Sequence, residues 1–175
     1  LGYSPNRWTA LLDVMTAKGY TKEELLEAGL LSQNRDKGTL YDRFRNRLMF
    51  PIIDVRGNVI GFGGRVMDDS TPKSPETIIF NKRRNLFAMN VVKKSKREFI
   101  ILTEGYMDAI ALHQYGFDCA VASLGTSLTQ EHADMLSKYT DELVLTYDGD
   151  EAGQNATQRA IPMLERTGPV SYTHL

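Results

Sequence analysis

Three features of this 175-residue sequence predict an α/β fold, a parallel sheet flanked by helices and preceded by a smaller, basic, mixed α+β subdomain. From residue 98 onward, strand-length apolar runs alternate with helix-length amphipathic ones, the pattern of a parallel sheet with right-handed crossovers. Two of those runs, Phe99-Ile-Ile-Leu-Thr and Leu143-Val-Leu-Thr-Tyr, end in acidic residues beside a glycine. Charge is also divided: residues 1–97 hold 18 Lys and Arg against 10 Asp and Glu, whereas residues 98–175 hold 3 against 12. A boundary is therefore expected near residue 97, and a basic half joined to an acidic half suits an enzyme that handles a polyanion.

Taken in order, residues 6–18 read as a helix with Trp8, Leu11, Leu12 and Met15 on one face and Gly19 as its end. Thr21 caps a short helix over residues 22–27, with Glu24 at the capping-box position and Gly29 as the stop. Residues 32–41 read as a polar loop, and residues 41–54 as a strand. In it Arg43, Arg45 and Arg47 alternate, so extended backbone would put three guanidinium groups on one face, either a phosphate-holding stripe or a solvated strand edge. Arg56-Gly57-Asn58 turns into a second strand over residues 59–65, completing a hairpin. Gly61, Gly63 and Gly64 do not fit a dinucleotide fingerprint and point instead to close backbone approach.

Residues 68–77 form a loop, and residues 73–97 carry 8 basic residues against one acid, Glu76. Within this run, Lys73 and Lys82 flank structured segments and are the candidates for nucleic-acid contact, while residues 86–92 read as a helix. The regular half follows: strands at 99–103, 118–122 and 142–146, helices near 106–115, 129–138 and 151–167. His113 and His132 sit at helical spacing without ligand partners, so both are surface or packing residues. Cys119 is the sole cysteine, which excludes an intrachain disulfide and a thiolate metal cluster. With 42% hydrophobic and 25% charged residues, no membrane-length apolar run and no export signal, the chain is expected to be cytoplasmic. It opens with Leu1 rather than Met, and a piece of something longer is expected.

If the runs at 99–103 and 142–146 are neighbouring parallel strands, Glu104 and Asp148 emerge at the carboxyl edge, where open α/β sheets place their ligand crevice. Asp148 and Asp150 are two apart and point to one side, with Gly149 free to turn between them. Three converging carboxylates call for a cation, and hard oxygen donors suit Mg²⁺ or Mn²⁺. Asp108, one helical turn after Glu104, could add a supporting carboxylate. An isolated Asp-Gly-Asp is otherwise only a turn. Ser123-Leu-Gly125-Thr126-Ser127 falls at a strand end near the same crevice, as a phosphate-contacting loop or a simple turn.

Glu104-Gly105-Tyr106-Met107-Asp108 together with Asp148-Gly149-Asp150-Glu-Ala-Gly153 resembles the Toprim domain shared by primases, topoisomerases and some nucleases. Tyr41-Asp-Arg-Phe-Arg-Asn-Arg-Leu-Met-Phe-Pro51, Gly61-Phe-Gly-Gly-Arg65, Ser74-Pro-Glu-Thr77 and Ala122-Ser-Leu-Gly-Thr126 are similar to the RNA polymerase core of bacterial DnaG-type primases. The resemblance implies a Toprim-type sheet, Glu104, Asp148 and Asp150 as catalytic, metal-binding acids assisted by Asp108, and a basic ridge containing Arg43, Arg45, Arg47, Lys73 and Lys82. It implies RNA primer synthesis from ribonucleoside triphosphates on single-stranded DNA, an RNA–DNA hybrid product, and a replicative helicase recruited through a domain absent here. Zinc is implied only in another domain, whose ligands this sequence lacks. The loop at residues 71–75 is shorter than the family's usual Lys-Tyr-Leu-Asn-Ser-Pro. Residues 1–97 would then be part of the basic subdomain, 98–170 a C-terminally truncated Toprim domain, and 171–175, which depart from the family pattern, a tail expected to be non-native. Competing readings are a Toprim nuclease or topoisomerase, a Toprim module that binds without catalysis, and a phosphotransferase with an aspartyl nucleophile.

Overall fold

The structure, a computed structural model, describes residues 1–66, 77 and 80–167, and the backbone of 171–174. Two compact units divide the chain: residues 1–52 with 60–80, and residues 53–59 with 81–175.

The first unit holds β1 (Gly2–Ser4), α1 (Ala10–Ala17), α2 (Lys22–Glu27), β2 (Leu31–Gln33), β3 (Leu40–Asp42), β4 (Arg47–Ile53) and β5 (Val59–Val66). β1, β4 and β5 make a three-stranded sheet in that order, and β2 pairs antiparallel with β3, Leu31 opposite Asp42. The span expected as a polar loop therefore contains this hairpin. Asn34 closes it, its side-chain oxygen accepting from the Asp36 and Lys37 N–H groups at 2.9 Å each.

Helix α1 starts later than its periodicity suggests. Its orphan N–H groups are satisfied from outside the element: Leu11 N–H donates to Asp42 Oδ2 at 2.6 Å and Leu12 N–H to Asp42 Oδ1 at 3.0 Å. Asp42 is 1% exposed, so a buried carboxylate on β3 acts as the cap. Helix α2 has the expected capping box, with Thr21 N–H donating to Glu24 Oε2 (2.7 Å) and Glu24 N–H to Thr21 Oγ1 (3.2 Å). The strand expected over residues 41–54 is broken, because Asn46 adopts φ +51° between β3 and β4. A left-handed residue re-aims every side chain after it, so the three arginines do not form one extended row.

In the second unit, β6 (Phe99–Thr103), β7 (Ala120–Ala122), β8 (Glu142–Thr146) and β9 (Ser171–His174) form a parallel sheet in the order β7-β6-β8-β9. Helices α4 (Tyr106–Gln114), α5 (Gln130–Leu136) and α6 (Glu151–Glu165) follow β6, β7 and β8. A short 3-10 helix (Lys82–Arg84) and α3 (Met89–Val92) precede them. The helix expected over residues 86–92 is cut to this one turn because Ala88 sits at φ +64°. Phe87 runs extended instead and bridges antiparallel to Ala122.

Alternation along the strands builds both faces. Ile100, Leu102, Val121, Leu143 and Leu145 pack with Leu136, Ala160 and Leu164 of α5 and α6, while Ile101, Ala120 and Ala122 meet Ala109 of α4. Each fully buried leucine contributes about 1.5–3 kcal/mol. His132, 0% exposed, also belongs to this packing: Thr129 N–H donates to Nδ1 (3.3 Å), so Nε2 carries the proton and faces the Lys82 and Asn85 carbonyls at 2.8 and 3.1 Å. One imidazole thereby ties the start of α5 to the 3-10 helix. Burial holds its pKa below the ordinary histidine value. Among the described residues, no helix is long and apolar enough to cross a membrane.

Candidate functional site

The acids expected to act together lie at one edge of the second unit's sheet. β6 and β8 are adjacent and parallel, with Thr103 opposite Thr146. Glu104 is the first residue beyond β6 and Asp148 the second beyond β8, so both leave at the carboxyl edge, and both are exposed. Among the described residues neither carboxylate has an ion-pair or hydrogen-bond partner. Tyr147, buried just before Asp148, has its hydroxyl pKa pushed up to about 12, first by burial and then by the negative charge of Glu104. The Glu104 carboxylate is therefore within electrostatic reach of the β8 end.

Asp150 and Asp108 are partly occupied by local structure. Asp150 is the N-cap of α6, its Oδ1 accepting from Gly153 N–H at 2.8 Å. Asp108 Oδ2 accepts from Gly105 N–H at 3.2 Å, closing the first turn of α4. Gly153 is obligatory here: a Cβ at this buried position would overlap the carbonyl of Asp148, so the first turn of α6 lies directly against the backbone that carries the acid. Residues 123–127 reach the same edge from β7. Gly125 has φ +75°, and Thr126 Oγ1 is buried without a hydrogen-bond partner among the described residues.

Among the described residues, no three His, Cys, Asp or Glu side chains are gathered closely enough to hold one metal ion. The donors nevertheless fit a hard divalent cation: all are carboxylates, two are uncommitted, and the other two are engaged through a single oxygen each.

The expected cationic residues are engaged locally where the structure describes them. In the first unit, Arg43 is half-buried and its Nη2 donates to the Leu31 carbonyl at 3.4 Å. Arg45 lies over Trp8 at 4.1 Å and Tyr41 at 5.1 Å from the ring centroids, with Nη1 donating to the Asp42 carbonyl at 2.5 Å. Arg47 is 7% exposed and runs beside Gly64, where a Cβ would come within 2.9 Å of its Cδ. What crowds Gly64 is thus a set of side chains, those of Arg47, Phe44 and Met49, rather than another backbone or a nucleic acid. Lys73 lies outside the described residues. Lys82, in the second unit, is buried, whereas its neighbours Arg83 and Arg84 are exposed.

Trp8, expected on the packing face of the first helix, is 65% exposed. Tyr41 meets it edge-on at 5.6 Å, and both rings with Arg45, Lys37 and Asn34 line an open recess of about 490 Å³. The available signal was position: Trp8 precedes the capped turn of α1, so the apolar stripe does not extend to it.

Comparison with known proteins agrees with this architecture. The family described as "DNA primase catalytic core, N-terminal domain" matches residues 1–93, and the family described as "Toprim-like" matches residues 101–175. The DNA primase of Clostridium acetobutylicum is 52% identical over 172 residues, covering 96% of this chain and 28% of that protein. Among solved structures, a DnaG primase catalytic domain bound to single-stranded DNA superposes with a TM-score of 0.88 at 42% identity, covering 99% of this chain and 59% of that one. The Aquifex aeolicus primase structure, comprising zinc-binding and RNA polymerase domains, gives 0.86 at 41% identity, with coverage of 99% and 44%. The chain thus spans 28% of the length of the curated relatives it matches.

Proposed function

Since the chain belongs to the DnaG-type DNA primase family, we propose that it carries the catalytic core of a primase, a nucleotidyltransferase that makes short RNA primers from ribonucleoside triphosphates on single-stranded DNA during replication. The observation that carries this reading is the emergence of Glu104 and Asp148, without protein cations, at the ends of two neighbouring parallel strands. Glu104, Asp148 and Asp150 would hold Mg²⁺ or Mn²⁺, and Asp108 would fix the turn that presents Glu104. A divalent ion held there would supply activation of the primer 3′-hydroxyl and neutralisation of triphosphate charge.

We assign nucleic-acid holding to residues 1–97 and metal binding to 98–170, with 171–175 outside that catalytic assignment. The Trp8–Tyr41–Arg45 recess offers a ring face for an unstacked base and a guanidinium beside it, which suits a single strand better than a duplex. Arg43, Arg47 and Lys73, and in the second unit Lys82 with the exposed Arg83 and Arg84, would each add positive charge for holding the backbone, Arg47 and Lys82 from buried positions. The RNA–DNA hybrid would be held by the same positive charge. A zinc-binding domain and a helicase-binding domain would lie outside these residues, and the work would be cytoplasmic.

The test is a primer-synthesis assay on the full-length protein with single-stranded DNA, ribonucleotides and Mg²⁺, run with and without chelator. Chelator-sensitive RNA products support the reading. DNA nicking without ribonucleotides, and no RNA product, would instead establish the Toprim nuclease reading.

A further inference from the structure

Hydroxyl side chains line the carboxyl edge of the second unit's sheet on three adjacent strands. Thr103 ends β6, Thr146 ends β8, and Ser123 is the first residue beyond β7. The register puts them level, with Thr103 opposite both Ala122 and Thr146. Thr103 and Ser123 are 1% and 5% exposed, polar groups in a layer otherwise built from Ile, Leu, Val and Ala. Buried hydroxyls are costly unless bonded, and both are bonded to the segment that bears the exposed acid. Ser123 Oγ donates to the Glu104 carbonyl at 3.0 Å, and Thr103 Oγ1 lies 3.0 Å from the Gly105 carbonyl and 3.2 Å from that of Val121. Thr146 Oγ1 faces the Leu102 carbonyl at 3.4 Å.

These bonds take over where the ladder ends. Past Thr103 the β6 backbone loses its strand partners, and a strand end next to an exposed loop would ordinarily leave its carbonyls to water. Here the Glu104 carbonyl accepts from the buried Ser123 hydroxyl at the neighbouring strand's exit, and the Gly105 carbonyl, which also takes the first α4 bond from Ala109 N–H at 3.3 Å, lies against the buried Thr103 hydroxyl. On the other side, Gly105 N–H is held by Asp108. The peptide unit joining Glu104 to Gly105 is thereby held at both its carbonyl and its N–H, and the next unit at its carbonyl, while the Glu104 carboxylate itself stays unpaired and exposed.

We propose that Ser123 and Thr103 are positioning residues that hold the Glu104 backbone so that its carboxylate meets a divalent ion in a fixed orientation. The proposal rests on the reading of Glu104 as a metal ligand. It gives the start of the 123–127 loop a role distinct from phosphate contact: Ser123 acts through the protein backbone and touches neither substrate nor ion.

The experiment is calorimetric titration of the full-length protein with Mn²⁺, alongside its thermal midpoint, for Ser123→Ala, Thr103→Val, Thr103→Ser and Glu104→Gln. Loss of a group that orients a metal ligand typically weakens affinity by ~10-fold or more. Ser123→Ala and Thr103→Val should each weaken Mn²⁺ binding by about tenfold, and Thr103→Ser, which keeps the hydroxyl, should restore it. A purely structural role would lower the thermal midpoint while the folded protein binds Mn²⁺ as before. That result, with Glu104→Gln abolishing binding, would overturn the positioning role alone. Unchanged binding in Glu104→Gln would overturn the metal-site reading beneath it. Should Ser123→Ala fail to fold, the Thr103→Val and Thr103→Ser pair decides the matter.

Discussion

The two units solve the same problem, fixing a charged side chain at a chosen place, in opposite ways. In the second unit, the ends of β6 and β8 deliver Glu104 and Asp148 to one edge by strand register, and local caps at Gly105 and Gly153 fix the turns that follow. In the first unit, the charged groups are set by contacts distant in sequence: Asp42 caps α1 across about thirty residues, and Arg45 is laid over Trp8 from beyond β3. A site built on periodicity presents uncommitted acids, whereas a site built on long-range contacts presents cations already stacked or bonded. The first arrangement suits an ion that must be coordinated, the second a flexible strand that must be held.

Substitutions that separate these two modes sharpen the contrast. The largest effect is expected from Gly153→Ala, where the added methyl collides with the Asp148 carbonyl and displaces the acid-bearing loop. A displacement of about 1 Å costs roughly 100-fold in rate, so primer synthesis should fall by about that factor while single-stranded DNA binding holds. Next, Asp42→Ala strips two N–H groups of a buried acceptor, and urea unfolding should show a loss of about 2–3 kcal/mol. Equal stability there would mean that α1 is capped by its own turn. Trp8→Ala removes the ring beneath Arg45 and should weaken single-stranded DNA binding about tenfold in a fluorescence titration, within the range for one base stacked on an aromatic ring. No change would remove the recess from the DNA path.

The smallest effect is on pH. Because the folded-state pKa of His132 lies below its ordinary 6.5, the unfolded chain takes up the proton first as pH falls. The stabilisation is complete above about pH 6.5 and declines below it toward the folded-state pKa. The thermal midpoint should therefore fall on acidification below 6.5, and the part due to His132 should be missing in His132→Gln.

Much of the second unit could be read from sequence because its instructions are local. The strands at 99–103 and 142–146, the helices after them and the Asp-Gly-Asp turn all follow from apolar periodicity and a glycine. The capping box at Thr21 and Glu24 was legible for the same reason. The arginine row failed because one residue, Asn46, takes a left-handed conformation that alternation cannot reveal. The exposure of Trp8 and the burial of Lys82 depend on residues far along the chain. Helical spacing marks His132 only as a surface or packing residue, whereas the fold has it clasping the carbonyls of Lys82 and Asn85.

On the proposed function, the acids at the ends of β6 and β8 would perform the metal-dependent chemistry while other residues hold the nucleic acid. The most direct test is Asp148→Ala combined with Asp150→Ala in the full-length protein, with Mg²⁺-dependent primer synthesis and single-stranded DNA affinity measured on the same preparation. Synthesis abolished with DNA affinity unchanged is the predicted result. Synthesis retained in the double variant would contradict it.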